Sequence, residues 1–324
     1  MLLDIIFIIG GVSLVLWGAD RLTDGSVAVA ERLNVSQIVI GLTVVAMGTS
    51  MPELCVSLVS ALKGTPDLAV GNVVGSNIFN SLLIVGMTAL VAPMAIPRNT
   101  VRKDIPFALI ASVILVLMCQ DDNISRIDAA ILFALFCYFM YVTLKAGKEQ
   151  PQKEASDEDT NSVTDDMAEQ SRKPMGWGKA AFFILLGLAC LIGGSNIFVS
   201  GATHVATALG ISEAVVGLTV VAMGTSLPEL ATSVVSARKG NSGIAIGNAL
   251  GSNVFNILMI LGLTGIISPM QIQGITTVDL SMLTISMILL WLFSFTKLTI
   301  ERWEGAVLTL VFVGYITYLV MGVL

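Results

Sequence analysis

The amino-acid sequence predicts an all-α integral membrane protein of ten transmembrane helices, arranged as two inverted repeats of five, with broken helices 2 and 7 and both termini outside. Three observations carry that prediction: an apolar composition, a repeat at one fixed offset, and a one-sided distribution of basic residues. Of the 324 residues 55 % are hydrophobic and only 12 % charged, and the mean hydropathy is +0.87. Soluble domains do not reach such values. Apolar runs of about 20 residues, the length that crosses a bilayer core, recur along the whole chain.

The repeat is read by shifting the chain against itself. A shift of 176 positions carries "GLTVVAMGTSMPEL" (41–54) onto "GLTVVAMGTSLPEL" (217–230), and "GNVVGSNIFN" (71–80) onto "GNALGSNVFN" (247–256). More weakly it superposes Gly11, Gly18 and Gly25 on Gly187, Gly194 and Gly201, and Pro93 on Pro269. The chain therefore divides into a first repeat (1–147), an acidic linker (148–176) and a second repeat (177–324). The linker, rich in Asp, Glu, Ser and Lys, is too polar to bury a core and is expected to be disordered. It lacks the glycine and terminal glutamate spacing of a calcium-binding EF-hand loop.

Taken in order, apolar runs and breakers place helices near 3–30, 37–62, 68–92, 104–120 and 124–146, then near 178–206, 213–238, 244–268, 277–295 and 302–323. The first has no basic residue ahead of it and no small-residue cleavage pattern, so it is expected to remain as a membrane helix. Five is odd, so a second copy of the unit enters the membrane from the opposite side. Basic residues test this. With the N-terminus outside, every one of the 17 except Lys63 and Arg126 lies toward the inside, in a loop, in the linker or, like Arg21, in the inward part of a helix, which is the positive-inside bias. Inverted repeats with broken helices are the architecture of secondary transporters, whose site lies between the repeats near the bilayer midplane.

The breaks come at "GTSMPE" and "GTSLPE". Proline has no amide hydrogen and suits the first turn of a helix, so Pro52 and Pro228 each start a second half-helix. The preceding residues are expected to unwind, freeing the carbonyls of Ala46, Thr49, Ala222 and Thr225. Free carbonyls at membrane depth are tolerated where they line a cavity. Ser50 and Glu53, like Ser226 and Glu229, have the spacing of a capping box. A cap contributes about 1 kcal/mol, whereas a charge inside an apolar span costs about 2.5 to 3.5 kcal/mol on insertion scales. Cation ligation is the stronger reason for Glu53 and Glu229. Ser76 and Asn80, with Ser252 and Asn256, add neutral oxygens four positions apart, on one helical face.

Carboxylates, hydroxyls, carbonyls and amide oxygens without His or Cys form a hard donor set that suits Ca²⁺ and Na⁺ rather than zinc or copper. Two carboxylates match one divalent ion. An empty site would leave a buried dianion, which disfavours crossing unloaded and favours exchange over uniport. The four cysteines (Cys55, Cys119, Cys137, Cys190) are too scattered for a disulfide framework or a zinc site. His204 is the one histidine and has no paired nucleophile motif, against an intramembrane hydrolase; no cofactor, nucleic acid or protein partner is implied beyond the ions and the bilayer.

These residues resemble the cation/calcium antiporter superfamily, most closely the prokaryotic sodium/calcium exchangers, over essentially the whole chain outside the linker. The resemblance implies Ca²⁺ on Glu53 and Glu229 with the Thr49 and Thr225 carbonyls. It implies Na⁺ on subsets of these with the Ala46 and Ala222 carbonyls, Ser50, Ser226, Ser76 and Ser252, and Asn80 and Asn256 completing the centre. Some relatives, the potassium-dependent exchangers among them, carry Asp at the position of Asn256, so no K⁺ requirement is implied. The expected activity is Na⁺/Ca²⁺ antiport by alternating access in a bacterial or archaeal inner membrane. A divalent cation/H⁺ antiporter that protonates the two glutamates is the alternative within transport, and a cation channel lies outside that class.

Overall fold

A computed structural model describes residues 2–149, 175–209, 222–272 and 274–323. Most of the acidic linker, and residues 210–221, which include the start of the seventh expected helix, lie outside the described residues. The chain is helical. In order come α1 (Leu2–Leu33), α2 (Gln37–Thr49), α3 (Met51–Leu62), α4 (Pro66–Val91), α5 (Ile105–Met118) and α6 (Arg126–Glu149). Then follow α7 (Trp177–Ala208), α8 (Ala222–Thr225), α9 (Leu227–Arg238), α10 (Ser242–Ile267), α11 (Thr277–Ser294) and α12 (Arg302–Val323).

Among the described residues seven helices are long and apolar enough to cross a membrane, or eight if α2 and α3, bent by 47° at their junction, count as one span. Two of the ten expected spans are not in this count. The turn that leads into α5 carries Arg102, Lys103 and Asp104, and α9 with α8 is described only from Ala222 onward.

The most apolar stretches of α4 and α10 are 78 % buried, against 22 % for those of α1, α6 and α7. The first pair therefore forms the centre and the others face the lipid. Close helix crossings depend on glycine. A Cβ on Gly11, Gly18 or Gly25 of α1 would sit 2.7–2.8 Å from the carbonyl oxygens of Gly194, Gly187 and Ala180 on α7, and one on Gly247 or Gly251 of α10 would sit 2.7 Å from those of Ile38 and Leu42 on α2. Small residues let helix backbones approach and gain dispersion contacts where the hydrophobic effect supplies no drive.

Two short antiparallel bridges join the halves outside the helices. Met94–Ala95 (β1) pairs with Thr299–Ile300 (β4), and Asn123–Ile124 (β2) with Met270–Gln271 (β3). Met94 faces Ile300 and Met270 faces Ile124, so one register is the other displaced by the 176-residue repeat. The α6 and α12 N-termini repeat each other too: Ser125 N donates to Asp128 Oδ2 at 2.9 Å, and Glu301 N to Glu304 Oε2 at 2.7 Å.

Candidate cation site

Each Pro-Glu motif makes a break of one residue. Ser50, at φ −84° and ψ 10°, separates α2 from α3, and Ser226, at −90° and 8°, separates α8 from α9. Pro52 and Pro228 lie in the first turn of the following helix, where the missing amide hydrogen costs nothing. The expected unwinding is narrower than the motif suggested. The Ala46 carbonyl is not freed: it accepts Ser50 N at 3.0 Å and Thr49 Oγ1 at 3.3 Å. The carbonyls that proline deprives of an i+4 donor are those of Gly48 and Gly224. In the second half Ser195 Oγ of α7 donates to the Gly224 carbonyl, whereas the equivalent position in α1 is Ala19.

The serines do not cap their own helices. Each reaches across to the other repeat: Ser50 Oγ donates to Glu229 Oε1 at 2.9 Å, and Ser226 Oγ lies 3.0 Å from Glu53 Oε1 and 3.3 Å from Ser76 Oγ. The capping reading is thereby displaced by a crossed pair of hydroxyl–carboxylate bonds. Both glutamates are 1 % exposed, so each carboxylate is held in protein rather than water.

One oxygen of each carboxylate is spoken for and the other is not. Glu53 Oε2, Glu229 Oε2, Ser252 Oγ, Asn80 Oδ1 and Asn256 Oδ1 are all buried without a hydrogen-bond partner among the described residues. Buried polar atoms are rarely left so. Asn80 and Asn256 sit in π-helical turns, Phe79–Ile84 and Phe255–Ile260, a distortion concentrated at functional sites. Thr49 is buried and Thr225 half-buried; Ala222 opens the described part of the seventh expected helix. No group of three or more His, Cys, Asp and Glu gathers among the described residues, so the acidic charge of the site is the two glutamates.

Sequence reasoning missed two positioning residues. Asn248 Nδ2 donates to the Glu229 carbonyl (3.2 Å) and to Ser233 Oγ (3.0 Å), and its Oδ1 accepts from Thr49 Oγ1 of the other repeat (3.1 Å). Asn72 Nδ2 bonds the Glu53 carbonyl (3.2 Å) and Ser57 Oγ (3.0 Å). The signal was present: Asn72 precedes Ser76 and Asn80 by one and two turns of the same face. Groups behind cation ligands typically govern affinity by about 10- to 100-fold, so Asn248→Ala is expected to raise the cation concentration for half-maximal flux about tenfold. Initial uptake rates in proteoliposomes check this. His204, which has no paired nucleophile motif in the sequence, pairs its Nδ1 with Asp4 Oδ1 at 3.2 Å and is largely exposed.

In sequence and in fold the chain is similar to known membrane proteins. The family model described as "Sodium/calcium exchanger protein" matches residues 3–145 and 179–321. The chain belongs to the sodium/calcium exchanger family. It is 34 % identical to the sodium/calcium exchanger MaX1 of Methanosarcina acetivorans over 98 % of this chain and 97 % of that protein. It is 38 % identical to the inner membrane protein YrbG of Escherichia coli over 84 % of this chain and 82 % of that protein. Its fold matches the sodium-calcium exchanger NCX_Mj, from crystals soaked with Na⁺ and Ca²⁺, with a TM-score of 0.82 at 30 % identity, covering 98 % of each chain. As a family member the chain is a multi-pass membrane protein of cation/calcium exchange.

Proposed function

We propose that the protein exchanges Na⁺ for Ca²⁺ across a prokaryotic plasma membrane, independently of K⁺, by alternating access around Glu53 and Glu229. The observation that carries this reading is the set of five buried, unpartnered oxygens on Glu53, Glu229, Ser252, Asn80 and Asn256. All are hard donors, and the two carboxylates balance one Ca²⁺. Ser50, Ser226 and Ser76 and the carbonyls of Thr49, Thr225, Ala46 and Ala222 are the further donors proposed for Na⁺. The Ala46 carbonyl would serve once the Thr49 hydroxyl donates to Asn248 Oδ1, 3.1 Å away, in its place.

Na⁺ and Ca²⁺ are close in size, so two or more Na⁺ can neutralise the same oxygens that one Ca²⁺ does. Without ions, the two carboxylates would cross the low-dielectric interior as a pair of like charges, which is costly. Loaded states cross and the empty state does not, and this couples the two fluxes. Asn256 contributes an amide where a carboxylate would add the charge to hold a further monovalent cation.

The proposed frame is ten spans in two inverted repeats, residues 1–147 and 177–324, joined by a cytoplasmic linker and with both termini outside. The displaced but equivalent bridge registers support it, as does the two-part family match. The test is ⁴⁵Ca²⁺ uptake into proteoliposomes driven by an outward Na⁺ gradient, with K⁺ and pH varied independently. Uptake is expected to follow Na⁺ and ignore K⁺. Uptake that follows an imposed pH gradient without Na⁺ replaces the reading with Ca²⁺/H⁺ antiport.

A further inference from the structure

At the end of α5 nearest β2 and β3, the surface is hollowed on both flanks of the helix. Between α5 and α6 a cavity of about 510 Å³ is lined by Ile114, Leu117, Met118, Gln120, Asp121 and Asp128. Between α5 and α11 a second, of about 370 Å³, is lined by Val116 and Gln120 on one side and by Leu280, Ser281 and Thr284 on the other. Both volumes are in the range of small-molecule sites. Gln120 borders the two, so the hollows meet over the C-terminal end of α5.

In the first hollow, Ile114, Leu117, Met118 and Asp121 follow at intervals of three, one and three, close to one helical face over about 10 Å. The hollow is therefore apolar along its length and acidic at its mouth. Around it Leu117, Ile127 and Ile131 are 66 %, 74 % and 45 % exposed, the mark of a surface that meets hydrocarbon in a membrane protein. An occupant reaches this place from the bilayer and not from water.

The acidic mouth is rigid. Asn123–Ile124 pairs with Met270–Gln271, and the Asp122 carbonyl accepts Ile272 N at 2.8 Å. Asp121 Oδ1 accepts Asn123 N at 3.3 Å, and Asp128 Oδ2 accepts Ser125 N at 2.9 Å and Ser125 Oγ at 2.7 Å. Asp121 Oδ2 and Asp128 Oδ1 have no protein donor among the described residues, and neither carboxylate has an ion pair there. Asp122, exposed on the same turn, and the negative end of the α5 dipole act in the same direction. The 176-residue shift puts Lys297, itself exposed, at the position of Asp121, so the demand for a cation belongs to this end of the molecule alone.

We propose that the end of α5 is a binding site for an amine-bearing phospholipid of the phosphatidylethanolamine class. Its ammonium sits on Asp121 and Asp128, one acyl chain lies in each hollow, and its phosphate turns toward Arg126, which is exposed at the start of α6. A bare metal ion would gain nothing from the apolar walls, and an anionic headgroup would be repelled by three aspartates. A primary ammonium has three N–H donors for the two free carboxylate oxygens, whereas a trimethylammonium has none. The lipid touches α5 and α6 of the first repeat and α11 of the second, so it staples the halves where β2 meets β3. The site is separate from Glu53 and Glu229, and its occupancy does not depend on the exchange reading.

The test uses the full chain in detergent, delipidated and then given dioleoyl phosphatidylethanolamine, phosphatidylcholine or phosphatidylglycerol. Native mass spectrometry reads retention, and a thermal melt reads stabilisation, since a ligand of the folded state raises its melting temperature. One molecule of phosphatidylethanolamine is expected to be retained about two- to fivefold better than either other lipid, the scale of a partly exposed ion pair. Asp121→Asn, which keeps Oδ1 for Asn123 N, is expected to abolish that preference, and Asp121→Glu to keep it. Ile114→Trp, which fills the first hollow, is expected to lower retention and the melting shift together. Equal retention of the three lipids overturns the proposal. So does a preference that survives Asp121→Asn, or one that Asp121→Glu loses as fully, because the charge is then not what selects the lipid. Because no flux is measured, loss of Na⁺-driven Ca²⁺ uptake bears on the exchange reading and leaves this one standing.

Discussion

Glu53→Gln and Glu229→Gln each bring Ca²⁺ uptake down by at least about 100-fold while leaving folded protein, an expectation fixed by charge and not by shape. Glutamine keeps the volume of glutamate and still offers Oε1 to the Ser226 or Ser50 hydroxyl, so the crossed bonds of the site survive. What it loses is one of two negative charges at the proposed centre, which has to offset a divalent ion's hydration, and direct ligands weigh more than the groups behind them. Because the carboxylates are buried and each has an oxygen without a partner among the described residues, neutralising one also removes a cost to the folded state. Both variants should therefore melt at or above the temperature of the unaltered protein in ion-free detergent. ⁴⁵Ca²⁺ flux in proteoliposomes and a thermal melt of the same preparation are the two measurements. Retained flux in either variant would remove that glutamate from the site.

Gly187→Ala is expected to destabilise the fold by about 1–3 kcal/mol, whereas Gly10→Ala leaves it unchanged or stabilises it by up to about 1 kcal/mol. Both glycines are in long membrane helices that face the lipid on one side. At Gly187 a Cβ would stand 2.8 Å from the Gly18 carbonyl oxygen and 2.7 Å from Leu22 N, both backbone atoms that cannot swing aside. At Gly10 nothing lies within 4 Å. The α1–α7 pair would have to separate along its length to admit one methyl group. Because α1 also covers α9, a shifted α1 should disturb ion exchange beyond what the loss of stability explains. Melting temperatures of the two variants in detergent decide the matter, and equal melting would mean that the crossing is not close-packed.

Much of this was legible in the sequence, and the reason differs from residue to residue. Glu53 and Glu229 stood out because a charge in an apolar run is expensive and because it appears twice at one offset. Helix positions followed from apolar length and from proline and glycine breakers. The partners of Ser50 and Ser226 were not legible. The local spacing offered each its own glutamate, and the choice of the distant one depends on how two breaks approach in space. The π-turns at Phe79–Ile84 and Phe255–Ile260 each add one residue to a turn and leave no periodic trace in the sequence. Ser195 escaped notice because its equivalent is Ala19, so comparison of the repeats points away from it. Asn72 and Asn248 were inside the quoted motif, and a face count carried one turn further back would have reached them.

The two small bridges have a consequence for how such a chain can be cut. β1 of the first half pairs with β4 of the second, and β2 of the first with β3 of the second, while Ser50 meets Glu229 and Ser226 meets Glu53. In each case residue i of one half meets the counterpart of j in the other, and j meets the counterpart of i. That is an isologous interface, the self-complementary contact of a two-fold dimer, here formed by two halves of one polypeptide. Each half alone carries both members of every such pairing, so each of these contacts is written twice in one chain.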